Sequence, residues 1–451
     1  MKARPLTPST LTFTPEELEQ YALGLQKMIR CKTISVKNSF DDREFLKLRS
    51  VMEELFPLVH KNAQRMIFSQ DCWIYRLPGR DTSRNIMLMS HHDVVAAEGN
   101  WDHEPFGGQI IDGKIWGRGT VDTKTPLFAE FAALEELLRE GFTPECNIWI
   151  GSSHNEELGG DGIPSALAWF REQGIRFEAV LDEGGAVIEP PLGGMKCEKC
   201  AMVAVHEKGR YKLLFSADAA SAHAGLTAAT NATPAERMAS FIHRISSKPP
   251  FIRRLNPQIR AMFAALSPYC GFPMKQLLGN LGIFGGLICK VLPKLNPQAG
   301  GLIGTTCSFS EICTDASRIC TATAMLKSVD ARDMEADIET LKTIAAEYGI
   351  TVAISEDSEY HGPADMDQPA YRYTMECIES VFPQHPASPM ILPAGTDARH
   401  LTEVCPCVLR FAPITLSKQQ LASVHSENEN LDLRSIGEAV VFYKRFLENY
   451  R

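Results

Sequence analysis

With 451 residues, 44% apolar and 22% charged, the chain holds more material than one ordinary core requires, and two domains are the natural expectation. A formal charge of −9 argues against nucleic acid or an anionic membrane as the main partner, because both call for a basic face. Thirteen scattered cysteines, an odd number, fit free thiols in a reducing compartment better than a disulfide framework.

The opening stretch MKARPLTPSTLTFTPEELEQ has no apolar run of signal-peptide length, which points to a cytoplasmic protein. Thr14, Pro15 and Glu17 then read as N-cap, N1 proline and capping-box glutamate of a helix carrying Leu18, Ala22, Leu25 and Ile29 at helical spacing. Three short apolar runs follow, each ending in polar residues: NIMLMS before His91, CNIWIGSS before His154, and FEAVL before Asp182. Helical patterns at 126–141 and 163–174 lie between them. Strand and helix alternating over short connections predict an α/β domain whose mixed sheet is covered by helices on both faces.

From about residue 196 the texture changes. MVAVHEKGRYKLLFSAD alternates like antiparallel strands, ATPAERMASFIHRISS reads as a helix, a Pro- and Gly-rich passage fills 248–304, and strands return before SVDAR. Within that passage LLGNLGIFGGLICKVL (277–292) is too short for a bilayer and carries Lys290, so a buried helix or loop is expected. The organisation implied is a catalytic domain over 1–195, an inserted α+β domain over 196–334, and the second part of the catalytic domain over 335–451. That last part carries helical patterns, the apolar run PCVLRFAP and a final helix over 435–450.

The polar residues at the three strand ends are of metal-ligand type: His91 and Asp93, then His154, Glu156 and Glu157, then Asp182 and Glu183. Ligands of open α/β sheets bind at the carboxyl ends of strands, so the three clusters would share one crevice. Asp122 in GRGTVDTK and His425 in SVHSENENL complete two imidazoles and several carboxylates, a donor set suited to one or two zinc ions. Two cations would also explain how Glu156 and Glu157 stand side by side without repelling each other. Each piece alone is weak, since an isolated His-x-Asp is usually a loop and a Glu pair usually a solvated surface. The joint pattern is specific.

That pattern resembles the cocatalytic zinc peptidases, which include aminoacylase, carboxypeptidase S, carnosinase-type dipeptidases and succinyl-diaminopimelate desuccinylase. The resemblance covers nearly the whole chain, and the blocks AGTDARHL and RFAPITLSKQQLASVHSENENL lean toward the carboxypeptidase S and N-acyl-amino-acid hydrolase branch. It implies two zinc ions, with cobalt or manganese as in-vitro substitutes. His91 would be a ligand oriented by Asp93, and Asp122 the bridging carboxylate ahead of a cis Asp122–Thr123 bond. Glu157 and His425 would be further ligands, joined by Glu183 in preference to Asp182, with Glu156 the general base. His223, in SAHAG of the inserted lid, would stabilise the oxyanion, and Arg332 and Arg399 would be candidates for binding a substrate carboxylate. The reaction implied is cleavage of an amide bond beside a free carboxylate, of carboxypeptidase or dipeptidase type. An N-acyl-amino-acid hydrolase with an acyl pocket built from 248–304 is the alternative, and a metal-binding protein without turnover is a third reading. The substrate would be a small peptide or an N-acyl amino acid, and a homodimer through the lid domain is implied, with neither nucleic acid nor membrane as partner.

Several positions depart from the pattern. Asn155 stands where aspartate is usual, Ala222 where glycine precedes the lid histidine, and Arg318 and Thr321 where asparagine and proline would stand. CEKC (197–200) has zinc-finger spacing but no partner pair, His92 and His154 read as packed or supporting histidines, and His103, His206 and His400 have no nameable partner.

Overall fold

The computed structural model describes residues 3–218, 232–295, 297–356 and 358–451. Its largest sheet runs in the order Gln64–Phe68, Cys72–Leu77, Cys146–Ser152, Asp81–Met89, Ala179–Asp182, Val408–Arg410, Cys200–Glu207, Ala387–Leu392, with Ala186–Ile188 paired beside Cys200–Glu207. The four strands from Cys146–Ser152 to Val408–Arg410 are mutually parallel. Cys146–Ser152 is buried along its whole length, which explains its continuous apolar run: a parallel strand covered on both faces has no solvent side to mark by alternation.

The crossover from Asp81–Met89 through helix Lys124–Arg139 to Cys146–Ser152 steps one way along the sheet. The next, through helix Gly162–Glu172 to Ala179–Asp182, steps back the other way. Right-handed crossovers in opposite directions put their helices on opposite faces. Lys124–Arg139 packs against the C-terminal helix Leu433–Asn449 and the N-terminal helix Pro15–Ile29. The capping box expected on that first helix is formed, with Glu17 N–H donating to Thr14 Oγ1 and Thr14 N–H to Glu17 Oε2.

The inserted domain centres on a four-stranded antiparallel sheet, ordered Thr306–Thr314, Cys320–Ser328, Gly209–Ala217, Thr351–Ile354. Helices Pro234–Ser247 and Ala331–Glu347 cover it, around a core that includes Phe215, Phe241 and Leu341. The alternating segment that begins near residue 196 is divided between the sheets: Cys200–Glu207 lies in the large one and Gly209–Ala217 in the small one.

The passage 248–304 is mostly helical, with helices Pro257–Leu266, Met274–Gly279, Leu281–Leu295 and Pro297–Leu302. They gather around Met262, Phe263 and Leu266 and pack against Ile391 of the large sheet. The window expected to be a buried helix or loop forms the last half of helix Met274–Gly279 and most of helix Leu281–Leu295, but the second is only half buried, since Ile283 is 78% and Leu287 53% exposed. Among the described residues no helix is long and apolar enough to cross a membrane.

Candidate metal centre

Three neighbouring parallel strands end at one edge of the large sheet and deliver the candidate side chains there. Asp81–Met89 leads to His91 and Asp93, Cys146–Ser152 to Glu156 and Glu157, and Ala179–Asp182 to Asp182 and Glu183. The loop 117–123 brings Asp122, whose bond to Thr123 is cis as expected, and a turn with His425 at φ 58° completes the set.

Asp122 joins the two imidazoles. Its Oδ1 lies 2.9 Å from His91 Nε2 and its Oδ2 2.9 Å from His425 Nε2, which is also 3.0 Å from Glu157 Oε2. His91, Asp122 and Glu157 present ligand atoms within 4.8 Å of one another. Hydrogen bonds to Asp122 and Glu157 push the His425 imidazole up to about 10. Burial works against charge on Asp122, yet hydrogen bonds from His425 and His91 hold its carboxyl well below the usual range.

Asp93 is fully buried. Its Oδ1 and Oδ2 accept the backbone N–H groups of Glu156 and Glu157 at 3.1 and 3.2 Å, while Oδ1 also lies 3.3 Å from His91 Nδ1. Asp93, whose backbone O also meets His91 Nδ1 at 3.0 Å, thereby orients the candidate-ligand imidazole and fixes the turn that carries the glutamate pair. Asp182 is occupied in a similar way, Oδ1 accepting Glu183 N–H at 2.9 Å and Oδ2 accepting Ala398 N–H at 3.0 Å. Burial pushes the Glu183 and Glu156 carboxyls well above their ordinary values, helped for Glu183 by the charges of Asp122 and Asp182 and for Glu156 by Asp397.

The donor chemistry fits divalent cations. Imidazole nitrogens and carboxylate oxygens converge, Glu157 Oε1 is buried without a hydrogen-bond partner, and the carboxylates outnumber the imidazoles gathered with them. A buried cluster of this sign is costly unless positive charge is shared among its members.

A cleft of about 1010 Å³ opens beside the centre and is lined by Glu156, Glu157, His425, Arg399, Arg210 and Glu359 among others. Arg399 donates through Nε to Glu359 Oε1 at 3.1 Å and through Nη1 to Thr396 O at 2.7 Å. Arg210, from the insertion, pairs with the same carboxylate. Arg332 is not brought to the cleft: it lies exposed at the start of helix Ala331–Glu347 and pairs with Asp330, the N-cap residue of that helix. His223 and Ala222 lie outside the described residues.

The departures have local reasons. Asn155 Nδ2 donates to Asp161 Oδ1 at 3.0 Å and Oδ1 accepts Gly162 N–H at 3.3 Å, a pairing that aspartate against Asp161 would replace by repulsion. Arg318 takes φ 61° in the turn before strand Cys320–Ser328, and Thr321 pairs within that strand. His92 stacks on Trp73 at 4.0 Å and its Nδ1 meets Ser152 Oγ at 2.8 Å, while His154 is enclosed by Phe40 and Phe45. Cys197 and Cys200 lie 3.6 Å apart and, among the described residues, join no metal-ligand group.

Two supports escaped sequence reasoning. Glu429 is fully buried and accepts from Arg118 Nη1 (2.6 Å) and from the backbone N–H groups of Gly119, Val121 and Asp122, so it holds the loop that presents Asp122. It sits four residues after His425 in a polar run that reads as surface. Glu359, His361 and His400 form a second group of potential ligand atoms, but Arg210 and Arg399 already pair with Glu359 and oppose a cation there.

Residues 87–449 match Peptidase family M20/M25/M40. Probable carboxypeptidase S-like 2 of Dictyostelium discoideum is 29% identical, over 97% of this chain and 86% of that protein. N-fatty-acyl-amino acid synthase/hydrolase PM20D1.1 of Danio rerio is 26% identical, over 97% of this chain and 87% of that protein. Among solved structures, an M20 family metallo-carboxypeptidase, Sso-CP2 of Sulfolobus solfataricus, superimposes with a TM-score of 0.65 at 16% identity, covering 95% of this chain and 98% of that one. The chain belongs to peptidase family M20/M25/M40.

Proposed function

We propose that this M20/M25/M40 peptidase is a metal-dependent hydrolase of an amide or peptide bond next to a free carboxylate, carboxypeptidase or dipeptidase in type. The observation that carries this reading is Asp122 spanning His91 and His425, with Glu157 on His425 and the Glu156 backbone held by Asp93. In this reading His91, Asp122, Glu157, Glu183 and His425 hold two metal ions, and the imidazole-rich donor set favours zinc. Asp182 is the weaker candidate because backbone N–H groups already engage both its oxygens.

Bound there, the ions would supply Lewis acidity toward the scissile carbonyl. Glu156 would take a proton from the attacking water as its oxygen adds to the carbonyl carbon, and return that proton to the leaving amine as the C–N bond breaks. Asp93 keeps His91 and the glutamate turn in register. Arg399, on the cleft wall, offers a guanidinium fork to the substrate's carboxylate, and His223 offers an oxyanion donor when the insertion closes. The resemblance supports a homodimer through the insertion, and thirteen free cysteines support a reducing, cytoplasmic setting.

N-acyl-amino-acid hydrolysis is the second reading, favoured by the PM20D1.1 relative matching over 97% of this chain. Both readings share the carboxylate and differ in the acyl group. Zinc-loaded protein assayed on dipeptides, on short- and long-chain N-acyl amino acids, and on the carboxamides of each tests them together. Turnover should require the carboxylate, and Glu156→Gln should lower kcat by about 10²–10⁴ with the metals retained. Equal turnover of the carboxamides, or full activity in Glu156→Gln, would remove the proposal.

A further inference from the structure

The charge of −9 is unevenly distributed. Residues 237–310 contain Arg237, Arg244, Lys248, Arg253, Arg254, Arg260, Lys275, Lys290 and Lys294 and no aspartate or glutamate. Whole-chain charge argues against an anionic surface only where charge is evenly spread, and here it is not. Arg254 is answered from outside the stretch by Asp330 and Asp333. Among the described residues no ion pair does the same for Arg253, Arg260, Lys275 or Lys290.

Helix Leu281–Leu295 lies in this stretch and exposes an unusual face. Its exposed positions from 282 to 291 are Gly282, Ile283, Gly286, Leu287, Lys290 and Val291. Ile283, Leu287 and Val291 follow one another at i, i+4 and i+8 and are 78, 53 and 38% exposed. A water-facing helix surface normally carries Glu, Gln or Ser at such positions, and this one carries aliphatics, glycines and a lysine. Phe272, 85% exposed, lies in the turn just before helix Met274–Gly279 of the same subdomain. On the flank of the exposed helix a cavity of about 690 Å³ is lined by Arg253, Arg254, Arg260 and Lys290, and the glycines at 282 and 286 leave its wall open.

We propose that this helical subdomain docks on an anionic lipid surface, with Ile283, Leu287 and Val291 entering the acyl region and the arginine–lysine cavity holding a headgroup phosphate or carboxylate. An apolar stripe bordered by cations, of which Arg253, Arg260 and Lys290 form no ion pair among the described residues, is the composition of an interfacial helix. Charge complementarity selects the occupant: a second copy would set the same cations against each other across a two-fold contact, whereas anionic headgroups neutralise them. The inference concerns a surface apart from the metal centre and holds whichever amide that centre cleaves.

The test is flotation of the zinc-loaded full chain with vesicles of phosphatidylcholine alone or mixed with phosphatidylserine, alongside turnover of a soluble dipeptide or N-acyl amino acid. The protein should float with the mixed vesicles and release at high salt. Lys290→Ala should weaken partitioning about fivefold, the loss of one surface cation. Ile283→Ser with Leu287→Ser should weaken it roughly tenfold or more, with melting temperature and soluble-substrate turnover unchanged. Failure to float, equal binding to neutral vesicles, or unchanged flotation of the variants would overturn the proposal. So would light scattering that shows a dimer which Leu287→Ser splits, because the face would then belong to a second copy.

Discussion

Removing the Glu429 carboxylate tests whether Asp122, the proposed bridging carboxylate, is held in place by the scaffold. Glu429 is buried and receives Arg118 at 2.6 Å and the N–H groups of Gly119, Val121 and Asp122 at 3.1, 2.7 and 3.1 Å. Glu429→Ala leaves a buried guanidinium and three backbone donors without their acceptor. Breaking one side of a buried ion pair costs about 3–5 kcal/mol, and the three N–H bonds share the same carboxylate, so the costs overlap and about 4 kcal/mol is the working figure. Unfolding entropy of about 2.1 cal/mol/K per residue over 451 residues turns this into a fall in Tm of about 4 °C. Glu429→Gln keeps an acceptor and should lose about half as much. Because the N–H of Asp122 itself is among the clamped groups, zinc affinity should also fall about 10–100-fold, the usual range for a group that positions a ligand. Urea unfolding followed by circular dichroism and zinc competition against a chromophoric chelator measure the two effects. If Glu429→Ala kept both the native midpoint and the native affinity, the loop would owe nothing to Glu429 and the reasoning would fail.

Asp182 and Glu183 should separate cleanly: Glu183→Gln should lower bound metal from two ions toward one, while Asp182→Asn should retain both and lose stability, read by metal analysis after gel filtration. Burial lowers His206 to about 4, so the folded protein keeps it neutral while the unfolded chain protonates near 6.5. A folded value below the unfolded one means full stability above pH 6.5 and loss as pH falls toward 4, by up to about 3 kcal/mol. His206→Gln should flatten that acid limb in urea titrations at a series of pH values, and an unchanged limb would count against the assignment.

How far the site could be read in sequence followed how local its determinants are. The strand ends at His91, Glu156 and Glu183 were visible because a buried parallel strand is a bare apolar run with chemistry at its exit. The cap at Thr14 was visible because a capping box is four residues long. Glu429 and Glu359 were not, since their partners Arg118 and Arg210 lie 311 and 149 residues away and no local pattern records the pairing. The passage 248–304 masked its helices by composition: glycine and proline lowered the helical reading, although Asn256 before Pro257 is an N-cap followed by an N1 proline, and Asn256 Oδ1 does accept Ile259 N–H at 2.8 Å. Alternation misled over Cys200–Glu207, where a strand buried along its whole length carries His206 and Glu207. These polar groups are satisfied internally, by Val329 O for the histidine and by Arg410 and Thr396 for the glutamate.

The same locality governs electrostatics. A carboxylate in the metal centre responds to charges a few ångströms away, and a membrane surface responds to charges within about a Debye length of roughly 8–10 Å. Neither responds to the charge of the whole chain. The centre gathers Asp93, Asp122, Glu156, Glu157, Asp182 and Glu183, a set that needs cations, while 237–310 gathers nine basic residues and no acid, a set that needs anions. A net charge of −9 is the remainder after these regions partly cancel, and it describes neither of them. Partner exclusion for this chain must therefore be argued face by face, and the face around Ile283, Leu287 and Lys290 is the one where the local sign reverses the conclusion drawn from the total.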